Sequence, residues 1–133
     1  MTPVFLDTVG ILAAWDEADQ WHAAAHAAYA TLVADNVPMI TTTFVLLECG
    51  NSAARREYRR RVNVLWDRLQ EENALIDPTA EDMLLARAAF DRGEAGSAGI
   101  VDHVSFAVMR RLGLTQAFTN DRHFVAAGFA VLF

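Results

Sequence analysis

The chain of 133 residues contains no lysine, so all eleven of its cationic side chains are arginines. It has one cysteine, Cys49, which excludes an internal disulfide and makes a reducing cytoplasm the default expectation. No apolar run approaches the roughly 18 residues of a membrane span. MTPVFLD is broken early by Pro3 and Asp7 and lacks the basic-then-apolar pattern of an export signal. Positive charge is also scarce: the net charge of −6 argues against steering of the whole molecule towards nucleic acid, though a local basic patch remains compatible with it. The apolar share of 53% is enough for one compact core, and the length suits one domain.

Short apolar runs alternate with helical patterns. PVFLD reads as a buried strand ending in an acid. Positions 17–34 place Trp21, Ala25, Ala28, Tyr29 and Leu32 at helical spacing, with Asp16 or Asp19 as cap. MITTTF is β-branched and strand-like. VLLECGNSAARREYRRRVNVLWDRLQEE predicts helix, broken near Gly50-Asn51. ALIDP is a second strand-like run stopped by an acid, and Asp77 before Pro78 fits a turn. TAEDMLLARAAFDR starts with Thr79 as N-cap and Asp82 three residues on. A glycine-rich loop, GEAGSAG, leads to the helix IVDHVSFAVMRRLG, which ends at Gly113. QAFT predicts a strand, NDRHFVAAG a turn or short helix, and FAVLF a last strand. This alternation implies a mostly parallel sheet with helices on both faces, an α/β fold of one domain over residues 1–133. Met83, Leu84, Phe90, Phe106, Val108 and Met109 are the expected core of the later helices.

In such sheets the functional crevice opens at the carboxyl ends of the strands. Four acids fall there. Asp7 ends the first strand, Glu48 lies one turn beyond the second inside apolar VLLEC, Asp102 opens a helix, and Asp121 follows QAFT. Singly, Asp7, Asp102 and Asp121 each fit a turn or a cap, and Glu48 fits a partly exposed helical residue, at a cost raised by its apolar neighbours. Jointly they form a cluster, and two unit charges 4 Å apart repel by ~4 kcal/mol at an effective dielectric near 20. With no lysine to neutralise it, an all-carboxylate site suits a hard cation, Mg²⁺ or Mn²⁺. The matching chemistry is metal-assisted hydrolysis of a phosphodiester. Phosphoacceptor receiver domains and haloacid-dehalogenase-type phosphatases also place acids at strand ends, but both require a lysine. The latter also requires a second acid where this chain has Val9.

FLDTVGIL, TTTFVLLECGNS and IVDHVSFAVMRRLGLTQAFTNDRHFVAAGF, in this order, resemble the PIN-domain family, and within it the VapC-type ribonuclease toxins of bacterial toxin–antitoxin pairs. The resemblance implies a three-layer α/β/α sandwich and a Mg²⁺- or Mn²⁺-dependent endoribonuclease. It further implies a cognate antitoxin as partner and a cytoplasmic homodimer. By motif position, Asp7, Glu48, Asp102 and Asp121 match the family's acids, Asp7 and Asp102 as the main metal ligands. Thr8 and Thr119 fall where the family has hydroxyls that orient carboxylates or waters. Gly99 departs from the pattern, since relatives often carry serine there. The rival to an enzyme is a PIN-like module kept only for binding a protein.

AARREYRRR, over 53–61, reads as a basic helix face, either solvated or in contact with phosphates through Arg55, Arg56 and Arg59. His22 and His26 have the spacing of a zinc half-site but lack further ligands at suitable spacing. His103 and His123 neighbour the acids, and His123 is expected to be structural. Cys49 is expected to pack rather than react.

Overall fold

The computed structural model describes residues 1–133. Its elements run β1 (Val4–Leu6), α1 (Thr8–Trp15), α2 (His22–Ala34), β2 (Met39–Thr42), α3 (Thr43–Ala53), α4 (Arg61–Glu71), β3 (Leu75–Ile76), α5 (Ala80–Asp91), α6 (Ile100–Leu112), β4 (Gln116–Phe118), α7 (Arg122–Ala126) and β5 (Ala130–Val131). The strands form one sheet in the order β3-β2-β1-β4-β5. Every pairing is parallel. With its helices this is the expected three-layer α/β/α sandwich.

β1 is central and wholly buried. The chain first builds outward from it through β2 and β3, then returns to pair β4 on its other side. The reversal leaves a crevice between the carboxyl ends of β1 and β4, the topological switch point. The main core of 20 buried residues surrounds these strands and includes Val4, Phe5, Leu6, Phe106, Phe118 and Phe124.

Several boundaries differ from those the sequence predicts. TVGILAAW is a separate helix, α1, that follows β1 directly. α2 starts at His22, five residues later than expected, and Trp21 at its N-cap makes no side-chain bond. Asp16 and Asp19 instead accept from Ala18 and Trp21 in the turn between the helices. α3 runs through Gly50-Asn51 to Ala53, and the break falls at 54–60, so most of the arginine-rich stretch is turn rather than helix. Like charges four apart, Arg55/Arg59 and Arg56/Arg60, disfavour a continuous helix there. Thr79 and Asp82 form the full capping box, and Gly113 closes α6 at φ 69°. Phe106, Val108 and Met109 are buried, whereas Leu84 is 67% exposed and Phe90, at the edge of the α5–α6 contact beside His103, is 46% exposed. No helix is long and apolar enough to cross a membrane.

α5 and α6 are clamped by Arg111, which donates to both oxygens of buried Asp82 at 2.8–3.1 Å. Burial alone would raise the Asp82 pKa, but the bonds from Arg111 and Thr79 hold it below the ordinary value.

Gly10 governs how closely α1 approaches β4. A Cβ there would stand 2.0 Å from the carbonyl oxygen of Phe118, while one at Gly50 would meet only Val62 Cγ1 at 3.9 Å. Gly10→Ala is therefore expected to destabilise the fold by at least ~2 kcal/mol, since backbone must move. Gly50→Ala is expected to stabilise α3 by ~0.5–1 kcal/mol. Denaturant midpoints of the two variants check both signs.

Candidate metal centre

Asp7 follows β1 and caps α1, accepting weakly from the Val9 N–H at 3.4 Å. It is only 2% exposed. Thr119, next after β4, donates its hydroxyl to Asp7 Oδ2 at 2.9 Å across the switch point. The Thr119 oxygen also accepts from the Asp121 N–H at 3.1 Å, which places Asp121 as the cap of α7. Glu48 projects from the middle of α3 and accepts from Thr8 Oγ1 at 2.7 Å. Asp102 is the third residue of α6 and accepts from the Gly99 N–H at 3.3 Å. Glycine at position 99 has no side chain to reciprocate, so this is half of a capping box.

In each acid one oxygen is held and the other is free. Thr119 and Val9 bond Oδ2 of Asp7, leaving Oδ1. Thr8 bonds Oε1 of Glu48, leaving Oε2. Gly99 bonds Oδ2 of Asp102, leaving Oδ1. The backbone N–H of His123 donates to Oδ1 of Asp121 at 2.9 Å, leaving Oδ2. The side-chain atoms both sealed and unpartnered are the ring nitrogens of His103 and Oγ of Ser105, and no carboxylate oxygen is among them.

Asp102, Asp121 and His123 form the tightest group, with ligand-type atoms within 4.8 Å of one another. Asp7 and Glu48 stand outside that group but close enough to matter electrostatically. Burial raises Asp7 to about 7, with Asp102 and Asp121 adding to the effect and Thr119 opposing it. Burial raises Asp102 to about 6, assisted by Asp121 and Glu48. The ion pairs of the arginines go to Asp16, Glu57, Glu72, Asp82 and Glu94, and none reaches these four acids. Carboxylates this close, with no arginine to balance them, fit a hard divalent cation.

His123 is the histidine nearest the cluster, its Nδ1 2.9 Å from Asp121 Oδ1. Its Nε2 meets Ser97 Oγ at 3.1 Å. Sequence reasoning passes over Ser97 altogether, because nothing in GEAGSAG marks a contact 26 residues away. His103 turns away from the crevice and packs edge-on to Phe90 and Phe106, at 6.1 and 5.5 Å, and burial lowers its pKa. His22 and His26 pack ring to ring at 5.8 Å, and His22 Nδ1 contacts the Ala13 carbonyl oxygen. Cys49 is fully buried beside Asp7 and Glu48, and burial with those charges pushes its thiol up to about 12. It packs and does not act as a nucleophile.

The family profile described as PIN domain matches residues 4–130. The chain belongs to the PIN domain family. Among solved structures it is similar to Mycobacterium tuberculosis VapC20, a Sarcin–Ricin loop cleaving toxin, at 27% identity and TM-score 0.79 over 96% of each chain. It shares the fold of FitAcB from Neisseria gonorrhoeae, at 20% identity and TM-score 0.64 over 98% of this chain and 96% of that one. FitAB bound to the IR36 DNA fragment also shares it, at 18% identity and TM-score 0.65 over 96% of this chain and 92% of that one. No curated protein matches the sequence.

The raised acids set the pH dependence of stability without metal. A carboxyl whose folded pKa exceeds its unfolded value stabilises the fold fully below the unfolded pKa. That contribution is lost as pH rises through the folded pKa. For Asp7 and Asp102 the window runs from about 3.8 to about 7. In EDTA the wild type is expected to lose a few kcal/mol across that window, at up to about 1.4 kcal/mol per pH unit for each acid. Asp7→Asn is expected to flatten the loss and to melt above wild type at pH 8. Melting curves in EDTA at pH 5 and pH 8 measure both effects, and wild-type stability rising towards pH 8 would contradict them.

Proposed function

We propose that the protein is a Mg²⁺- or Mn²⁺-dependent endoribonuclease, the toxin component of a toxin–antitoxin pair. One observation carries this reading: four carboxylates from four separate elements each have one oxygen held and one without a partner, their charges raise the proton affinity of Asp7 and Asp102, and no arginine pairs with them. The similarity to VapC20, a toxin that cleaves the Sarcin–Ricin loop, supports the substrate class.

In this reading Asp7, Asp102, Glu48 and Asp121 hold the cation through their free oxygens, while Thr119, Thr8, the Gly99 N–H and His123 fix the opposite oxygens. A bound divalent ion supplies positive charge against the scissile phosphate and acidifies a water. The protein's part is to keep the carboxylates in one arrangement at the end of a rigid sheet, so little reorganisation is left for the reaction. Cys49 takes no part.

RNA contact is assigned to the turn between α3 and α4. Arg55 and Arg59 are exposed there, while Arg56 is bonded to Asp16 at 3.1 Å and lies over the Tyr58 ring at 5.2 Å. Asp7 and Asp16 cap the two ends of α1, an eight-residue helix. The basic turn therefore lies about one such helix, ~12 Å, from the Asp7 end, within reach of phosphates next to the cleaved one. The antitoxin is assigned to an apolar groove of about 400 Å³ that includes Ile11, Trp15, Tyr29 and Leu65, with Arg61 and Arg68 in its lining. An apolar segment bearing acids complements it. The working form is taken to be a cytoplasmic homodimer.

Purified protein is expected to cleave RNA with Mg²⁺ or Mn²⁺ and to stop in EDTA. Asp7→Asn or Asp102→Asn should lower cleavage at least ~100-fold, beyond the usual cost of losing a group that only supports a ligand. Undiminished cleavage in both variants would sink the site assignment. Absence of metal binding, with partner affinity indifferent to both substitutions, would favour the binding-module rival. Arg55→Ala with Arg59→Ala should raise the KM for RNA and leave kcat. The slope of log affinity against log salt should flatten by roughly 0.7 for each single-strand phosphate that the variant no longer neutralises.

A further inference from the structure

We propose that His123 is a positioning residue for Asp121, held from behind by Ser97 of the loop between α5 and α6; this rests on the metal-centre reading above. Two contacts on opposite edges of one ring carry it. Nδ1 stands 2.9 Å from Asp121 Oδ1, and Nε2 stands 3.1 Å from Ser97 Oγ. The Nδ1 approach is close without being an aligned hydrogen bond, and a ring nitrogen that near a carboxylate oxygen is favourable only when it carries the hydrogen, so Nδ1 is the protonated edge. In the neutral ring Nε2 then accepts from the serine hydroxyl, and the tautomer is fixed by its two neighbours.

The arrangement does three things. It sets the N–H edge of the ring 2.9 Å from Asp121 Oδ1, the oxygen that already accepts the backbone N–H of His123, so Oδ2 is the one left for an ion. It holds the ring still, because a side chain 35% exposed would otherwise rotate. It also ties the loop to the site. That loop folds through left-handed positions at Gly93, Ala95 and Gly96, with φ of 68°, 56° and 67°, immediately before Ser97. An unbroken chain of polar contacts then runs from Ser97 through His123 and Asp121 to Thr119 and Asp7. The loop's conformation and the orientation of two proposed ligands are coupled through one imidazole.

Groups that hold a metal ligand in place typically cost 10–100-fold in metal affinity or activity when removed. The experiment measures the Mn²⁺ dissociation constant by calorimetry, together with kcat and KM for RNA cleavage. It compares wild type with His123→Ala, His123→Asn, Ser97→Ala and the Ser97→Ala/His123→Ala double variant. His123→Ala is expected to weaken Mn²⁺ binding roughly tenfold and to lower kcat, with the KM for RNA unchanged. His123→Asn keeps a donor near the Nδ1 position and should recover most of the loss. Ser97→Ala should cost less than His123→Ala, and the double variant should match His123→Ala alone, because Ser97 acts only through the ring.

Mn²⁺ affinities of His123→Ala equal to wild type would overturn the proposal while leaving the metal centre standing. So would an asparagine variant no better than alanine, or losses that multiply in the double variant. A wild type that binds no Mn²⁺ would overturn the metal centre and this proposal together. Ser97 is exposed on a loop, so its variant keeps the test decisive should His123→Ala fold poorly.

Discussion

Everything at the crevice is arranged around one awkward charge, the carboxylate of Asp7. It sits at the end of the central strand, 2% exposed, with no arginine paired to it. Because β1 lies between β2 and β4, the position just after it is flanked by the elements that follow both neighbours. Thr119 after β4 reaches it directly, and α1, which Asp7 caps, is pressed against β4 through the missing Cβ of Gly10. Below it, Val4, Phe5 and Leu6 are at most 1% exposed and form the middle of the core. Their packing gives the strand end no freedom to withdraw, so the cost of the buried acid is carried by the whole sheet.

Helix N-termini partly relieve that cost. Asp7 and Asp121 are N-caps, and Asp102 lies in the first turn of α6. Such positions favour an anion by about 0.3–1 kcal/mol each, rarely more than ~2. Burial of Asp7 works against this by lifting its pKa from 3.8 to about 7. At about 1.4 kcal/mol for each tenfold change in proton affinity, that burial outweighs a cap. Left to itself the fold would keep a proton in the crevice near neutral pH. Under the proposed function an incoming cation removes the conflict, since its charge offsets that of the carboxylates. Stability and function pull in opposite directions at these residues, which is the pattern expected of a site rather than of a surface patch.

Asp7, Asp102 and Asp121 are legible in the sequence because each stands where an apolar run meets a loop or a helix start, whereas Glu48 is marked only by its apolar neighbours in VLLEC. α1 is not legible, because TVGILAAW is apolar almost throughout and buries Gly10, Ile11 and Ala13, so no polar face marks its helical period. AARREYRRR misleads in the other direction. Arginine is a good helix former, and only the stacking of like charges and the need to turn between α3 and α4 argue otherwise. Hydrophobicity alone places Leu84 and Phe90 in the core, yet α5 packs chiefly on α6, which leaves Leu84 open and covers Phe90 only along the edge that meets His103. The contact of Ser97 with His123 joins a loop to a cap 26 residues later, and a pairing of that kind leaves no trace in periodicity or composition.

The charge distribution limits how RNA could be recognised under the proposed function. With a net charge of −6 the long-range field repels a polyanion. Screening confines each arginine's influence to about 8 Å at physiological salt. The basic turn and the acid crevice are separated by more than that, about the ~12 Å length of α1. Attraction at the turn is therefore local, and productive binding needs a phosphate there at the same time as another in the crevice. A strand that satisfies one location without the other gains little, since neither field reaches across the gap. Selectivity of this kind depends on the path of the RNA backbone more than on its sequence. It suits a folded loop, whose phosphates are held at fixed spacing, better than a flexible single strand that must lose entropy to span the same distance.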